Sequence, residues 1–208
     1  MKISVIIPAH NSALFIEKCI DSIKSQTFTD YEIIVVCDAC EDNTVEVVKP
    51  LVDKVAQVNF HNDGLTRNAG LALAEGEYVL FIDHDDWYER DDAFEIMMRE
   101  IEDYDILCFG FYWNGIGHVG PRSGRGPLYP HVWNKLWRRA FIGDTRFKPI
   151  FAESDRVFND EVLIRLPEIK EINDMLVYYN FLKEGSVSYE MGRRVEDAVN
   201  YWGITPIE

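Results

Sequence analysis

Residues 76–87, GEYVLFIDHDDW, constrain this chain more than any other stretch. Tyr78 to Ile82 is an apolar run of strand length, too short to form a helix by itself. It stops in Asp83, His84, Asp85 and Asp86, three acids within four residues. A buried strand ending in acids fits an open α/β sheet, where ligands bind beyond the carboxyl ends of the strands. On an extended backbone Asp83 and Asp85 share a face. Carboxylates so paired repel unless a cation or cationic partner lies between them. Their oxygens suit magnesium, manganese or calcium, and magnesium commonly joins a few carboxylates to substrate phosphates. The competing reading is a helix N-terminus, where acids suit the dipole.

The residues before this stretch alternate between strand and helix patterns. Lys2 to Pro8 (KISVIIP) predicts a buried strand, with Asn11 or Ser12 available to cap the next helix. Ile16, Cys19, Ile20 and Ile23 then fall on one helical face. Tyr31 to Val36 predicts a second strand, Thr44 to Val52 a helix and Val55 to Phe60 a short strand. A helix of small residues follows and ends at Gly76 as its C-cap. Short links between alternating elements predict a parallel sheet with helices on both faces. No GxGxxG follows the first strand, which argues against a dinucleotide site.

After Trp87, a helix is predicted from Asp91 to about Glu102 and a strand from Asp105 to Trp113. Residues 114–130 are dense in Gly and Pro, the mark of a functional or disordered loop. Arg122 and Arg125 within it could meet a phosphate or an anionic acceptor, or only keep the loop soluble. Two helices, His131 to Ile142 and Asp155 to Leu166, a strand near Met175 to Phe181 and an amphipathic stretch from Arg194 to Trp202 complete the pattern.

A length of 208 residues allows one large domain or two small ones and a substantial core. The net charge of −15 argues against general nucleic-acid binding. No apolar run approaches the length of a membrane span and no signal-peptide pattern precedes the first strand. The expected location is therefore cytoplasmic, with peripheral membrane contact left open. Cys37 and Cys40 form a CxxC, but a zinc site lacks two further ligands. Small residues in a tight strand-to-helix turn explain the pair more simply than redox chemistry.

Several motifs, taken in order, resemble family-2 glycosyltransferases: SVIIPAHN, YEIIVVCDACEDNT, GLTRNAGLALAEGEYVLFIDHDDW, WNKLWRR and LVYYNFLKEGSVS. The similarity runs from Ile3 to about Tyr189. It implies an α/β fold of GT-A (Rossmann-like) type, a mostly parallel sheet flanked by helices with a C-terminal acceptor-side region. The expected organisation is one domain, 1–208, with a nucleotide-sugar half at 1–113 and an acceptor half at 114–208. The implied reaction moves a sugar, with inversion, from a nucleotide-diphosphate donor, a UDP-sugar above others, to a hydroxyl acceptor. That acceptor would be a sugar, a lipid-linked group or a protein, in polysaccharide or glycan biosynthesis.

By the same resemblance Pro8, His10, Asn11, Asp38, Arg67, Asn68 and Asp83 bind the nucleotide. Asp85 holds a divalent cation, Mn or Mg, bridging the diphosphate. Asp155 is the base for the acceptor hydroxyl, in a segment where Ser154 stands in place of the family's Glu; Glu153 is the rival and helix capping the structural alternative. CDAC replaces the usual DDGS, and GLTRNAG is about two residues shorter than the family pattern. Trp133 and Trp137 could stack on a sugar or fill the core. Lys135, Arg138 and Arg139 read as a solvated helix face. The alternatives are a sugar-nucleotide-binding homologue without transfer and a nucleotidyltransferase, although PAHNSALF lacks the Gly-rich, basic loop that the latter needs.

Overall fold

Buried aliphatic runs set the centre of the molecule, which a computed structural model describes at residues 1–122, 128–150 and 153–180. Strand β1 (Ile3–Ala9) is buried along its whole length. It pairs in parallel with β2 (Tyr31–Asp38) and β4 (Tyr78–Phe81), and β2 pairs in parallel with β3 (Lys54–Val58). Strands covered on both faces need continuous apolar runs, and ISVIIPA, YEIIVVCD and YVLF supply them.

Alternation sends their side chains to two cores. Ile3, Val5 and Ile7 join Ile33, Val35 and Cys37 on one face; Ile6 joins Ile34 and Val36 on the other. Helices α1 (Ile16–Lys24), α2 (Thr44–Val48) and α4 (Ala93–Ile101) feed the first core. Helices α3 (Asp63–Leu73) and α6 (Ser154–Leu163) feed the second. Helix α1 buries Ile16, Cys19, Ile20 and Ile23, the face predicted, at roughly 1.5–3 kcal/mol for each large aliphatic side chain.

The sheet then changes character. Strand β8 (Lys135–Arg138) runs antiparallel between β4 and β6 (Ile106–Trp113). Strand β9 (Ile169–Tyr179) is parallel to β6, and the short β5 (Trp87–Tyr88) is antiparallel to β9. The order is β3-β2-β1-β4-β8-β6-β9-β5, with β7 (Gly117–Val119) forming a hairpin with β6. The sheet is thus mixed, with β1–β4 all parallel and a second parallel pair in β6 and β9, and it is continuous across both halves of the chain.

Several expectations require correction. The helix expected over His131–Ile142 is a strand followed by the single turn α5 (Arg139–Ile142). Gly76 is not a C-cap: α3 ends at Leu73, with Ala74 extended. A Cβ on Gly76 would lie 2.6 Å from the backbone nitrogen of Ser4, so the residue permits close approach of β4 to β1. Neither Asn11 nor Ser12 caps α1 through its side chain; the Ser12 carbonyl accepts from Ile16 instead. Helix α2 stops at Val48, short of Val52. Arg125, the Arg194–Trp202 stretch and the LKEGSVS end of the last motif lie outside the described residues. Among the described residues no helix is long and apolar enough to cross a membrane.

Candidate active site

The carboxyl ends of β1, β2 and β4 lie side by side, and the loops leaving them are tied together. The Asn11 carboxamide oxygen accepts from the amides of Glu41 and Asp42 at 2.8 and 3.3 Å. The Ser12 amide donates to Thr44 Oγ1 at 2.7 Å. His10 Nδ1–H donates to the Asp38 carbonyl at 2.7 Å, and the Asn11 amide group donates to His10 Nε2 at 3.2 Å. This pair of bonds selects one imidazole tautomer. His84 Nδ1–H reaches the Pro8 carbonyl at 3.3 Å. Pro8, His10 and Asn11 therefore sit together at one rim, as the motif order implied.

Asp38 is 6% exposed. Its Oδ1 accepts from the amides of Phe60 and His61 at 2.6 and 3.0 Å. Its Oδ2 accepts from the Asn62 amide at 3.0 Å and from Thr66 Oγ1 at 2.8 Å. Four donors fill the four acceptor positions of a carboxylate. Burial by itself would raise its pKa, but the bonds from Asn62, Thr66, Phe60 and His61 outweigh that and hold it below the ordinary range. Asp38 thereby sets the loop that opens α3.

Helix α3 carries the centre of the site. Asn62 caps it, accepting from the Leu65 amide at 3.0 Å. Gly70 lets it settle onto β1, because a Cβ there would lie 2.3 Å from Ile6 Cγ2. Arg67, only 4% exposed, points from this helix into three carboxylates. Nη2 donates to Asp83 Oδ1 at 2.7 Å. Nη1 contacts Asp63 one turn earlier and lies 3.6 Å from Asp155 Oδ1. Three of the predicted residues, Arg67, Asp83 and Asp155, thus meet in one cluster. Asn68 turns away: its carboxamide pairs with both backbone groups of Phe147 at 2.9 Å each, fastening α3 to the 145–150 segment.

Asp83 and Asp85 do not share a strand face. The chain leaves β4 at Phe81 and turns, with the Asp86 amide donating to the Asp83 carbonyl at 3.0 Å. Asp85 stands half-buried in that turn. Burial, opposed by Arg67 and reinforced by Asp63, Asp155 and Asp85, raises the Asp83 pKa to about 7. Burial also resists ionisation of Arg67, but Asp63, Asp155 and Asp83 raise its pKa and keep it charged. Asp86 is buried, and its Oδ1 accepts from the Asn180 amide at 2.8 Å, tying the turn to the end of β9.

Asp155 lies in the first turn of α6 but is not its cap. Its Oδ2 accepts from the Val132 amide at 3.2 Å while Oδ1 faces Arg67. Burial raises its pKa, against the pull of Arg67. The rival carboxylate, Glu153, is engaged by Arg156. Trp133 and Trp137 are both core residues, 2% and 1% exposed. Arg122 pairs with Glu171 on β9 through two bonds of 2.5 Å.

Two residues escaped sequence reasoning. Asp63 precedes Arg67 by four positions, a helical pairing distance that could have identified it. Lys135 is fully buried rather than solvated. Its neighbours in sequence carry no signal of this.

The model of glycosyl transferase family 2 matches residues 4–167. Glycosyltransferase GlyA of Streptococcus pneumoniae is 31% identical over 90% of this chain and 31% of its own length. A poly(ribitol-phosphate) beta-glucosyltransferase of Bacillus spizizenii is 38% identical over 91% of this chain and 34% of its own. The chain thus spans about a third of the length of these relatives. Staphylococcus aureus TarS 1–349 in complex with UDP-GlcNAc superposes with a TM-score of 0.79 at 25% identity, covering 89% of this chain and 60% of that one. A mannosyltransferase of Pyrobaculum calidifontis, at 17% identity and a TM-score of 0.74 over 91% of this chain and 60% of its own, shares the fold.

Proposed function

Because this chain belongs to glycosyl transferase family 2, we propose that it moves a sugar from a UDP-sugar donor to a hydroxyl acceptor with inversion at the anomeric carbon. The observation that carries this reading is the convergence of Asp83, from the β4 turn, and Asp155, from α6, on the buried Arg67. One carboxylate belongs to the donor side and the other to the acceptor side. Their shared guanidinium fixes the separation between the two halves of the reaction.

In this reading residues 1–113 hold the donor and residues 114–208 the acceptor. Pro8, His10 and Asn11 form the nucleotide rim. Asp38 has no acceptor position left for a base and instead shapes the wall of the pocket. Asn68 likewise supports the wall through Phe147. Asp83 lies toward the ribose, held by Arg67. The TarS structures with UDP and UDP-GlcNAc support a uridine donor. Relatives named for poly(ribitol-phosphate) support a polyol-phosphate glycan as the first acceptor to try. Their beta products are what inversion of an α-linked UDP-sugar yields.

A divalent cation at Asp85 belongs to this reading as one shared with the donor's diphosphate, since among the described residues no group of three or more His, Cys, Asp or Glu is placed to hold an ion by itself. Asp85 offers a hard oxygen donor in the turn that follows β4, close enough to Asp83 to act on its ionisation. One protein carboxylate with diphosphate oxygens and water suffices for Mg or Mn. Such an ion would stabilise the charge developing on the departing diphosphate. The chain's own contribution is at the acceptor: Asp155 takes the hydroxyl proton as the acceptor oxygen bonds to the anomeric carbon and the bond to UDP breaks. The pKa raised by burial suits a carboxylate to this role.

Thermal stability against UDP, GDP, TDP and CMP, with and without manganese, tests the donor site, since a ligand of the native state raises Tm by mass action. A shift with UDP that manganese enlarges, and that Asp85→Ala reduces to the metal-free value, is expected. No shift with any nucleotide by folded protein would overturn the reading and leave a nucleotide-free relative of the family.

A further inference from the structure

Beneath the acceptor side lies a charged side chain that the proposed reaction does not use. Lys135, on β8, is 0% exposed. Its ammonium donates to the Tyr129 carbonyl at 2.7 Å, to Asn134 Oδ1 at 2.9 Å and to the His131 carbonyl. All three of its protons are therefore placed. An ammonium taken out of water is costly unless fully hydrogen-bonded. A β8 position facing this interior would ordinarily be apolar, as Trp137 two residues on is. What the charge accomplishes is local: it gathers two carbonyls and a side-chain oxygen of the 129–134 loop around one centre.

That loop holds the base. The Val132 amide donates to Asp155 Oδ2, and the Val132 carbonyl accepts from the Trp137 indole at 3.1 Å. The Pro130 carbonyl accepts from Asn159 Nδ2, which also donates to the Asp155 carbonyl at 2.8 Å. The loop is clamped at 129, 130, 131, 132 and 134, and the peptide at its centre orients the carboxylate. We infer that Lys135 is a positioning residue for the acceptor base, acting through the Val132 peptide. The inference rests on Asp155 being that base. It adds the residue that sets the direction of the Asp155 carboxylate.

The test uses the full chain and UDP release from UDP-glucose and UDP-GlcNAc, with water alone and with poly(ribitol phosphate) as acceptor. Lys135→Met keeps length and removes the three donors. The expected result is UDP affinity and donor KM within about 2-fold of wild type and kcat lower by about 100-fold, the scale of loss for a displaced catalytic group. Combined with Asp155→Asn, the further loss should stay below about 3-fold, because two changes acting through one group are not additive. A general loss of folded protein would instead multiply with Asp155→Asn. Where Lys135→Met does not fold, Lys135→Gln removes the charge while keeping two polar donors for the loop carbonyls. It should lower kcat about 10-fold with the same non-additivity.

Wild-type kcat in folded Lys135→Met, or in Lys135→Gln where that variant carries the test, overturns the inference; so does a multiplicative double variant. If Asp155→Asn retains transfer, the base assignment has failed and the positioning role fails with it. If Asp155→Asn is inactive while Lys135→Met turns over normally, only the positioning role has failed.

Discussion

Replacing Arg67 with methionine, which retains much of its apolar stem, removes the one cation shared by Asp63, Asp83 and Asp155. Asp63 is 57% exposed, so its share is largely screened. Asp83 and Asp155, 31% and 23% exposed, would be left close together without the guanidinium they share, although Lys135 still acts on Asp155. Breaking a buried pair costs about 3–5 kcal/mol. Partial exposure places this case near the lower end, about 3 kcal/mol at pH 8, or roughly 6–12 °C in Tm for a chain of this size.

The pH dependence makes the test sharper. Burial already raises Asp83, to about 7, and raises Asp155 as well. Unfolded aspartate titrates near about 3.9. Between that value and the raised folded values the native state binds more protons than the unfolded chain, so stability falls as pH rises. Without Arg67 both folded values climb further, and the loss should grow from below about 1 kcal/mol at pH 5 to about 3 kcal/mol at pH 8. Urea unfolding of both proteins at the two pH values measures it. An equal loss at both, or no loss at pH 8, refutes the view that Arg67 is the counter-charge of this cluster.

Other expectations concern the walls and the base. Asp38→Ala leaves the Phe60, His61 and Asn62 amides and the Thr66 hydroxyl without their acceptor. It should cost about 3 kcal/mol in urea unfolding and abolish the UDP-induced rise in Tm. The wild-type contribution of Asp38, whose folded pKa is lowered, should be present above the unfolded value and vanish as pH falls through the folded one. Gly70→Ala places a methyl 2.3 Å from Ile6 Cγ2, and α3 must shift to admit it. A loss of about 1–3 kcal/mol is expected, together with weaker UDP binding, because α3 carries Arg67. The raised pKa of Asp155 predicts that kcat/KM rises with pH through an inflection above the ordinary aspartate value. A pH–rate profile flat down to pH 4 would contradict it.

The parallel half of the fold was legible because β1, β2 and β4 are apolar runs and α1 shows a single periodic face. Ile16, Cys19, Ile20 and Ile23 are buried as their spacing requires. The WNKLWRR segment was not. Val132, Trp133, Leu136 and Trp137 recur at helical spacing, and Lys135, Arg138 and Arg139 mimic a solvated face. The segment is nevertheless a strand, because β8 fills the place between β4 and β6 and pairs antiparallel with both. Carbonyls of a preceding loop neutralise the cost of burying Lys135. Long-range pairing of this kind has no local signature.

The site was legible in part for a related reason. The resemblance named Arg67, Asp83 and Asp155 one by one for separate roles, and their meeting around one guanidinium comes from the fold. The partners that occupy Asp38 and Asn68, the Phe60–Asn62 amides and the Phe147 backbone, come from other loops. A residue's type shows what it can bind, whereas the fold decides what reaches it first.

The most direct measurement is the anomeric configuration of the product formed from an α-linked UDP-sugar, followed by proton NMR as UDP is released, for wild type and Asp155→Asn. An inverting transferase with Asp155 as base yields a β-linked product, and Asp155→Asn should lower kcat by 10²–10⁴-fold, about the range for a general base, while UDP still binds. An α-linked product, or transfer undiminished in Asp155→Asn, would contradict the account.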